Sequence, residues 1–175
     1  MKKILLTGAT GYIGKRLLPK LLEEDYFVYC CVRDRERFDT SPYDTTRIEV
    51  IEVDFLKPET LHIIPEDLDA AYYLIHSMTS SKDKFEELEK KAAQNFKAAL
   101  EKTSVEQVIY LSGIVNDEHL STHLRSRKTV EKTLSASSYH LTTLRAGIIV
   151  GSGSASFEII RDLVEKLPVM IAPKW

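Results

Sequence analysis

Three glycines near the start of the chain have the spacing of a phosphate-binding turn. Gly8, Gly11 and Gly14 lie in TGATGYIG, residues 7–14, directly after a short apolar run and at the start of a helical pattern. A helix N-terminus presents unpaired N–H groups and the positive end of the helix dipole, and glycines let a pyrophosphate come close to them. We therefore predict a dinucleotide site rather than an ordinary glycine-rich turn, with Gly8 for the tight turn, Gly11 for the close approach and Gly14 for helix packing. The other loop residues assigned to this site are Thr10, Tyr12 and Ile13.

The residues at the end of the second apolar run bear on which dinucleotide would fit. Asp34 lies about 20 residues beyond the last loop glycine, where an acid binds the ribose hydroxyls of NAD. Arg33 precedes it, and an Arg at this point can clamp the 2′-phosphate of NADP by charge-assisted hydrogen bonds. Arg35 and Arg37 add positive charge nearby, so we predict NADP(H) in preference to NAD(H). The alternative is that these arginines only face solvent.

Short β-branched runs alternate with longer helical patterns along the chain, which is typical of a parallel sheet covered by helices. Apolar stripes at helical spacing separate the runs, as in residues 17–22. We predict a three-layer doubly wound α/β sheet, a Rossmann fold with strand order 3-2-1-4-5-6. One domain would cover 1–175, and 151–175 would begin a substrate or interaction region. The predicted strands are 3–7, 27–32, 48–53, 71–75, 108–111 and 141–150.

The composition argues against several classes of protein. Of the 175 residues, 43% are hydrophobic and 29% are charged, which is ordinary for a globular domain. The net charge is −2 without a long basic run, so nucleic-acid binding is not expected. The apolar runs are too short for a membrane span or a signal peptide, and we expect a cytoplasmic location. No metal site is predicted, because the histidines are scattered, and Cys30 and Cys31 are adjacent in a strand, where they would point to opposite faces.

Several segments resemble the atypical short-chain dehydrogenase/reductase superfamily, and within it the NmrA-like and complex I accessory-subunit-like NAD(P)H-binding proteins. The resemblance spans essentially the whole chain, and such proteins usually continue further. It implies a Rossmann fold and hydride transfer with a nicotinamide cofactor. The similar segments are TGATGYIG, VRD at 32–34, VDF at 53–55, YYLIHSM at 72–78, HLRSRKTVEK at 123–132 and the stretch from residue 151.

The resemblance also assigns cofactor contacts beyond the glycine loop. Asp54 and Phe55 would lie against the adenine, although Asp54 could instead cap the turn that follows it. The backbone of Ile75, His76 and Ser77, at the end of the fourth strand, would pass beside the nicotinamide ribose.

The catalytic pair of the superfamily is missing from its expected place. Active members use Tyr-x-x-x-Lys, and the matching positions hold His123 and Arg127. His123 could act as a general acid and Arg127 could hold the ribose, or His123 could be an ordinary surface residue. His76 is a second candidate acid because ligands collect at the carboxyl ends of parallel strands, with a buried hydrogen-bonded histidine as the alternative. Ser112 matches the region of the catalytic serine, or it simply ends a strand.

Three functions remain open on the sequence, and the charge gives little support to the third, a nucleic-acid-binding regulator. The first is a reductase or epimerase-like enzyme that acts on a small carbonyl or sugar-like substrate, and the second is a non-catalytic NADP(H)-binding sensor or scaffold. The fold alone does not choose between them. The apolar stripe of the last helix, with Phe157, and the following Met170 predict self-association through this segment or its use as a substrate lid.

Overall fold

The computed structural model describes residues 1–76, 82–114 and 121–169, without the side chains of 82–84 and 122. Contacts divide the chain into two units, Met1–Arg145 and Ala146–Trp175. The first unit contains the glycine loop and every candidate cofactor or catalytic residue named from the sequence. The extent of the predicted single domain stays a prediction.

The described residues contain six strands, which form one parallel sheet in the order β3-β2-β1-β4-β5-β6, as predicted. The strand order reverses between β1 and β4, and in such sheets ligands bind beyond the carboxyl ends of the strands at that point. The strands are β1 (Lys3–Leu6), β2 (Phe27–Val32), β3 (Ile48–Glu52), β4 (Ala70–Tyr73), β5 (Gln107–Gly113) and β6 (His140–Ala146).

Five strands end at positions that differ from the predicted ones: β1 and β3 end one residue early, and β4, β5 and β6 differ by two residues or more. β4 ends at Tyr73 rather than at residue 75, because the N–H of Leu74 donates to the Thr7 hydroxyl instead of continuing the ladder. β5 continues past residue 111 to Gly113, since burial alternates along its whole length. β6 ends at Ala146 rather than at residue 150, because the chain bends at residues 147 and 148.

The described residues also contain four α-helices. The apolar stripe predicted for the first of them is buried at Leu18, Leu21 and Leu22. The third helix, which the sequence pattern predicts from about residue 120, begins two residues later, and Ser121 caps it by accepting a hydrogen bond from Leu124 N. The helices are α1 (Tyr12–Glu23), α2 (Lys82–Leu100), α3 (Thr122–Ser135) and α4 (Ala155–Lys166).

The sheet separates two apolar clusters. On one face, Leu18 of α1 packs in a cluster with Leu6 of β1. On the other face, Phe96 of α2 and Leu134 of α3 pack with Tyr73 of β4. α2 and α3 therefore lie together on the face opposite α1.

The two cysteines belong to different clusters. Cys30 is buried on the α1 face and Cys31 on the α2 face, so the predicted opposite orientation is confirmed, and both thiols are free. Burial raises the pKa of the Cys30 thiol to about 12 and raises that of Cys31 further.

The Thr7 hydroxyl joins the end of β1 to the end of β4. Thr7 is fully buried, its Oγ1 donates to Tyr72 O at 2.9 Å, and Leu74 N donates to it at 3.0 Å. The first bond adds to the one that Tyr72 O accepts from Thr7 N at 3.1 Å, and the second satisfies the Leu74 N–H where the ladder ends. The glycine loop and the segment after β4 are consequently held side by side.

The second unit contains α4, which begins close to its predicted position. Ser154 precedes the helix, and its Oγ donates to Ile149 O at 2.5 Å. Ile160 and Leu163 on this helix are exposed apolar residues. The self-association or lid function of this segment stays a prediction, and Met170 lies outside the described residues.

Replacing Gly14 by Ala tests how tightly α1 packs on the turn before it. A Cβ added at Gly14 would lie 2.8 Å from Ala9 Cα and within contact distance of the Gly8 backbone. We expect Gly14→Ala to lower the free energy of unfolding by about 1–3 kcal/mol, the usual cost of overpacking. Urea denaturation followed by circular dichroism measures this change.

Gly11→Ala is the matched control for that variant. Its added Cβ would meet only Gly8 O, at 3.1 Å, so we expect a smaller loss of stability. If Gly14→Ala and the parent unfold at the same urea concentration, α1 does not pack as described.

Candidate functional site

The three glycines of the loop have different surroundings. Gly8 has φ +67°, which favours glycine, and an added Cβ would lie 2.9 Å from Leu74 O. Gly14 lies against the backbone of the turn, whereas Gly11 is the least crowded of the three. These surroundings fit the predicted roles. Gly8 adopts the backbone conformation of a tight turn, Gly14 packs closely, and Gly11 leaves the space that an approaching ligand needs.

The first turn of α1 offers backbone donors that no side chain occupies. Gly11 caps this helix without a side-chain hydrogen bond, and the first turn contains no acidic residue. The N–H groups of Tyr12, Ile13 and Gly14 therefore keep their capacity to bind an anion, and Thr10 is exposed beside them. The donors and the glycine cradle fit the pyrophosphate of a dinucleotide.

The two residues after β2 differ in their partners. The carboxylate of Asp34 accepts a hydrogen bond from Glu36 N at 3.1 Å and pairs with Arg37 at 3.1 Å. Arg33 is exposed and has no ion pair or side-chain hydrogen bond with the described residues. The guanidinium of Arg33 is therefore accessible to a ligand, while Asp34 is engaged in its own turn.

The residues after β3 have structural partners of their own. The Asp54 carboxylate caps the following turn, because it accepts a hydrogen bond from Leu56 N at 3.0 Å. The ring of Phe55 is 4% exposed and packs edge-on against Phe96, with the ring centroids 5.4 Å apart. The predicted adenine contact of Phe55 can therefore involve its backbone but not its ring.

A hydrogen-bonded network of three side chains lies just beyond the end of β4. His76 Nδ1 lies 2.9 Å from Glu89 Oε1, and Ser126 Oγ donates to Glu89 Oε2 at 2.5 Å. Glu89 on α2 and Ser126 on α3 are 4% and 0% exposed, whereas 36% of the His76 side chain is exposed. The network thus connects a buried carboxylate to an imidazole that a ligand can reach.

Sequence reasoning missed Glu89, although its position carries a signal. Phe85, Ala92 and Phe96 belong to the buried face of α2, and Glu89 lies four residues after Phe85 on that face. A carboxylate on an apolar helix face needs a hydrogen-bonding partner, and such groups cluster at functional sites. The acid is recognisable from the pattern, but its partners on other elements are not.

Opposing effects act on the Glu89 carboxyl group. Burial is the largest effect and raises its pKa. Hydrogen bonds from His76 and Ser126 lower the pKa, and so does the positive charge of Arg127. The lowering effects prevail, so the pKa of Glu89 lies below its usual value and the group is an anion at neutral pH.

The α3 candidates lie near this network. The exposed His123 ring packs edge-on against Phe85, with centroids 4.8 Å apart, and its centroid is 6.4 Å from that of His76. Arg127 Nη1 donates to Leu111 O at 3.4 Å, near the end of β5. The structure thus brings the two candidate acids together beside the guanidinium that was assigned to the ribose.

Ser112 adds an unsatisfied hydroxyl on β5. Its Oγ is buried and has no hydrogen-bond partner in the described part of the chain. Ile75 is half-buried and packs against the apolar cluster on the α2 face of the sheet. A buried hydroxyl without a partner fits a contact that a bound molecule completes. Ser77 lies outside the described residues.

Other types of site are not found in the described ranges. Residues 1–76, 82–114 and 121–169 contain no group of three or more His, Cys, Asp or Glu side chains that could hold a metal ion. Within the same ranges no helix has the length and apolar character needed to cross a membrane. A cavity of about 530 Å³ lies between α3 and β6, away from the glycine loop, and its lining includes Lys128, Leu141 and Arg145.

Residues 8–164 match the model of a protein family described as NAD(P)H-binding. The matched region includes the glycine loop, Arg33 and the network around Glu89. The chain belongs to the NAD(P)H-binding family. This membership confirms the expected resemblance to NAD(P)H-binding proteins.

Solved structures of enzymes share the fold of this NAD(P)H-binding protein. They include yeast methylglyoxal/isovaleraldehyde reductase Gre2 complexed with NADPH, with TM-score 0.76, 17% identity and coverage of 98% of this chain and 68% of that one. The Citrobacter sp. triphenylmethane reductase complexed with NADP(H) has TM-score 0.73, 19% identity and coverages of 93% and 55%. The Bordetella bronchiseptica enzyme WbmG in complex with NAD and UDP has TM-score 0.66, 17% identity and coverages of 81% and 52%.

Both the solved structures and the curated proteins that match this chain in sequence are longer than the chain. The matching stretches cover 2% and 25% of the lengths of two curated relatives. At identities of 17–19%, the similarity to the solved structures establishes the fold.

Replacing Glu89 by Gln tests how much its ionised carboxylate stabilises the fold. We expect Glu89→Gln to lower the free energy of unfolding at neutral pH by about 1.5–3 kcal/mol, because two hydrogen bonds lose their charged acceptor. The folded-state pKa of Glu89 is lowered, so this contribution is present above the usual carboxyl range and is lost as the pH falls through the folded value. Urea denaturation from neutral to acid pH should show the difference between parent and variant shrinking.

Glu87→Gln is the control, since Glu87 is an exposed carboxylate on the same helix. We expect it to change stability little at any pH. A Glu89→Gln effect that stays constant as the pH falls would contradict the ionised state of Glu89.

Proposed function

We propose that this member of the NAD(P)H-binding family is an oxidoreductase that prefers NADP(H) and acts on a small carbonyl or sugar-like substrate. The accessible Arg33 guanidinium at the end of β2 carries the cofactor preference. A 2′-phosphate would form charge-assisted hydrogen bonds with Arg33. The nearby Asp34 carboxylate, which would otherwise favour the ribose of NAD, is engaged with Glu36 N and Arg37.

The remaining cofactor contacts follow from the arrangement of the elements. The pyrophosphate would bind the N–H groups at the start of α1, and the nicotinamide ribose would lie near the ends of β4 and β5. Ser112 Oγ and the Arg127 guanidinium are the polar groups near that end of β5. The solved relatives include complexes with NADPH, NADP(H) and NAD, so they support dinucleotide binding without choosing between the forms.

The reaction needs a proton as well as a hydride. When bound, a reduced nicotinamide supplies the hydride. His76 and His123 are the candidates for moving the proton at a substrate oxygen, because imidazole changes its charge near neutral pH. Substrate binding at this edge would also exclude water from the half-buried His76.

A non-catalytic sensor or scaffold is the second candidate function. The positions that hold Tyr and Lys in active superfamily members are occupied by His123 and Arg127. In the described residues no hydrogen bond orients the exposed His123 ring. Binding of NADP(H) without turnover would then be the whole activity of the chain.

Arg33→Ala tests the cofactor preference. We expect the parent to bind NADPH more tightly than NADH, and the variant to lose about tenfold to a hundredfold in NADPH affinity with little change for NADH. Fluorescence titration of each dinucleotide measures the dissociation constants. Lys20→Ala is the control, because Lys20 is an exposed cation on α1 that already pairs with Glu23 at 2.6 Å. Equal affinity of the parent for NADH and NADPH would disprove the preference.

Oxidation of bound NADPH separates the enzyme from the sensor. We expect the parent to oxidise NADPH in a single turnover with at least one substrate class among aldehydes, quinones and keto-sugars. The loss of absorbance at the reduced nicotinamide band measures this oxidation. Ser112→Ala should slow this step if its hydroxyl contacts the bound molecule. Tight NADPH binding with no oxidation by any of these substrates would favour the sensor.

A further inference from the structure

We propose that Glu89 and Ser126 fix the His76 imidazole in a single tautomer, so that His76 Nε2 is the atom that donates the proton. This inference rests on the proposed oxidoreductase function and names the residues that replace the missing tyrosine and lysine. His76 would be the catalytic residue. Glu89 and Ser126 would be positioning residues, since they act through its ring.

The first step of the argument is the direction of the hydrogen bond at Nδ1. An ionised carboxylate only accepts hydrogen bonds, so the 2.9 Å contact with Glu89 Oε1 requires a proton on His76 Nδ1. In the neutral ring the other nitrogen, Nε2, then has no proton and is free to take one. The protein thereby distinguishes the two nitrogens of the ring before any ligand binds.

The second step is the orientation of the carboxylate itself. Glu89 Oε2 accepts a hydrogen bond from the buried Ser126 hydroxyl, so both oxygens are held by different elements. Rotation of the carboxylate would break the bonds to α3 and to the β4–α2 segment together. The orientation of the ring is consequently set by the packing of α2 on α3.

The third step separates His76 from His123. The two rings are near each other, with centroids 6.4 Å apart, and both contact Phe85. His76 has a carboxylate partner, whereas no described residue hydrogen-bonds the His123 ring. An unanchored ring samples both tautomers and several rotamers, which makes it a poorer proton donor.

The charge around His76 also suits the role. Glu89 on α2 is anionic, and it faces the imidazolium that forms when Nε2 takes a proton. Arg127 on α3 helps to lower the pKa of Glu89 and so keeps it ionised. In the described part of the chain, His123, Tyr73 and Tyr110 are further titratable groups near the pair. Glu89 therefore holds a negative charge next to His76 Nδ1.

The proton transfer balances with the proposed hydride transfer. In carbonyl reduction the N–H bond at Nε2 breaks, an O–H bond forms on the substrate oxygen, and the substrate carbon gains the hydride of a reduced nicotinamide. The substrate becomes an alcohol and the nicotinamide becomes oxidised. The ring is left neutral with its Nδ1 proton, and water returns the proton to Nε2.

A purely structural network would join α2 to α3 without affecting chemistry. The tautomer of His76 is the first of three measurements that together separate such a network from one with a catalytic role. ¹⁵N NMR of the imidazoles, in the full chain with bound NADP⁺ and at a pH where the ring is neutral, should show a protonated His76 Nδ1 and a bare Nε2. In Glu89→Gln we expect a mixture of tautomers, and in the control Glu87→Gln the parent pattern. A His76 ring with the proton on Nε2 in the parent would overturn the proposal.

The second measurement tests whether His76 Nε2 lies at the bound cofactor. Diethyl pyrocarbonate modifies bare imidazole nitrogens, and peptide mass mapping reports each histidine separately. We expect NADP⁺ to slow the modification of His76 severalfold and to leave His140, at the opposite end of the sheet on β6, unchanged. Binding of NADP⁺ without protection of His76 would overturn the acid role while leaving cofactor binding intact.

The third readout is the rate of NADPH oxidation with methylglyoxal and with 9,10-phenanthrenequinone as probes. We expect His76→Ala to lower the single-turnover rate by about 10²–10⁴-fold. We expect a loss of about tenfold in Glu89→Gln, with the NADPH dissociation constant and the KM for the probe unchanged, and no change in Glu87→Gln. Imidazole added to the buffer should restore part of the His76→Ala rate.

The outcomes distinguish a failure of the acid role of His76 from a failure of the proposed oxidoreductase function. If His76→Ala keeps the parent rate, His76 is not the acid, even though the proposed oxidoreductase function stands. If the parent binds no dinucleotide or oxidises NADPH with neither probe, the proposed function fails and the acid role of His76 fails with it.

Discussion

Close backbone contact between the end of β1 and the start of α1 determines where the rest of the site lies. The contact exists because Gly8 adopts a positive φ and Gly14 has no side chain. It brings the positive end of a helix dipole to the edge of the sheet where the strand order reverses. The Thr7 hydroxyl then joins this turn to the segment after β4, from which His76 reaches α2. The candidate anion site and the network of His76, Glu89 and Ser126 therefore share one edge of the sheet.

Burying the Glu89 carboxylate where α2 packs on α3 costs free energy, although apolar residues alone could form the same contact between the helices. Removing a carboxylate from water costs several kcal/mol, and only good hydrogen bonds and a nearby positive charge offset that cost. Ser126, His76 and Arg127 together supply these compensations. A hydrophobic residue of similar volume would often be equally stable at such a position. The placement of the acid therefore fits a role in chemistry better than a role in folding.

Much of the fold could be predicted from the sequence, because alternating strand and helix patterns determine a parallel sheet with few possible orders. The opposite orientations of Cys30 and Cys31 followed from the two-residue period of a strand in the same way. The end of β4 could not be predicted, since it depends on a hydrogen bond to Thr7, the residue that follows β1. The Glu89 network was missed for the same reason, because its three members are far apart in sequence and meet only through the packing of α2 on α3. Local patterns thus locate the glycine loop, while the acid–base partners depend on tertiary structure.

The burial of both cysteines makes this chain a convenient host for site-specific labels. The sequence contains two cysteines, and each is buried on its own face of the sheet with a raised thiol pKa. Thiolate is the reactive form, so maleimide reagents should leave both native side chains largely unmodified. A single cysteine introduced on an exposed helix position would then carry a fluorophore or spin label without removal of the native thiols. Two such positions, one on α2 or α3 and one beside the glycine loop, would let the distance between these elements be followed while a dinucleotide binds.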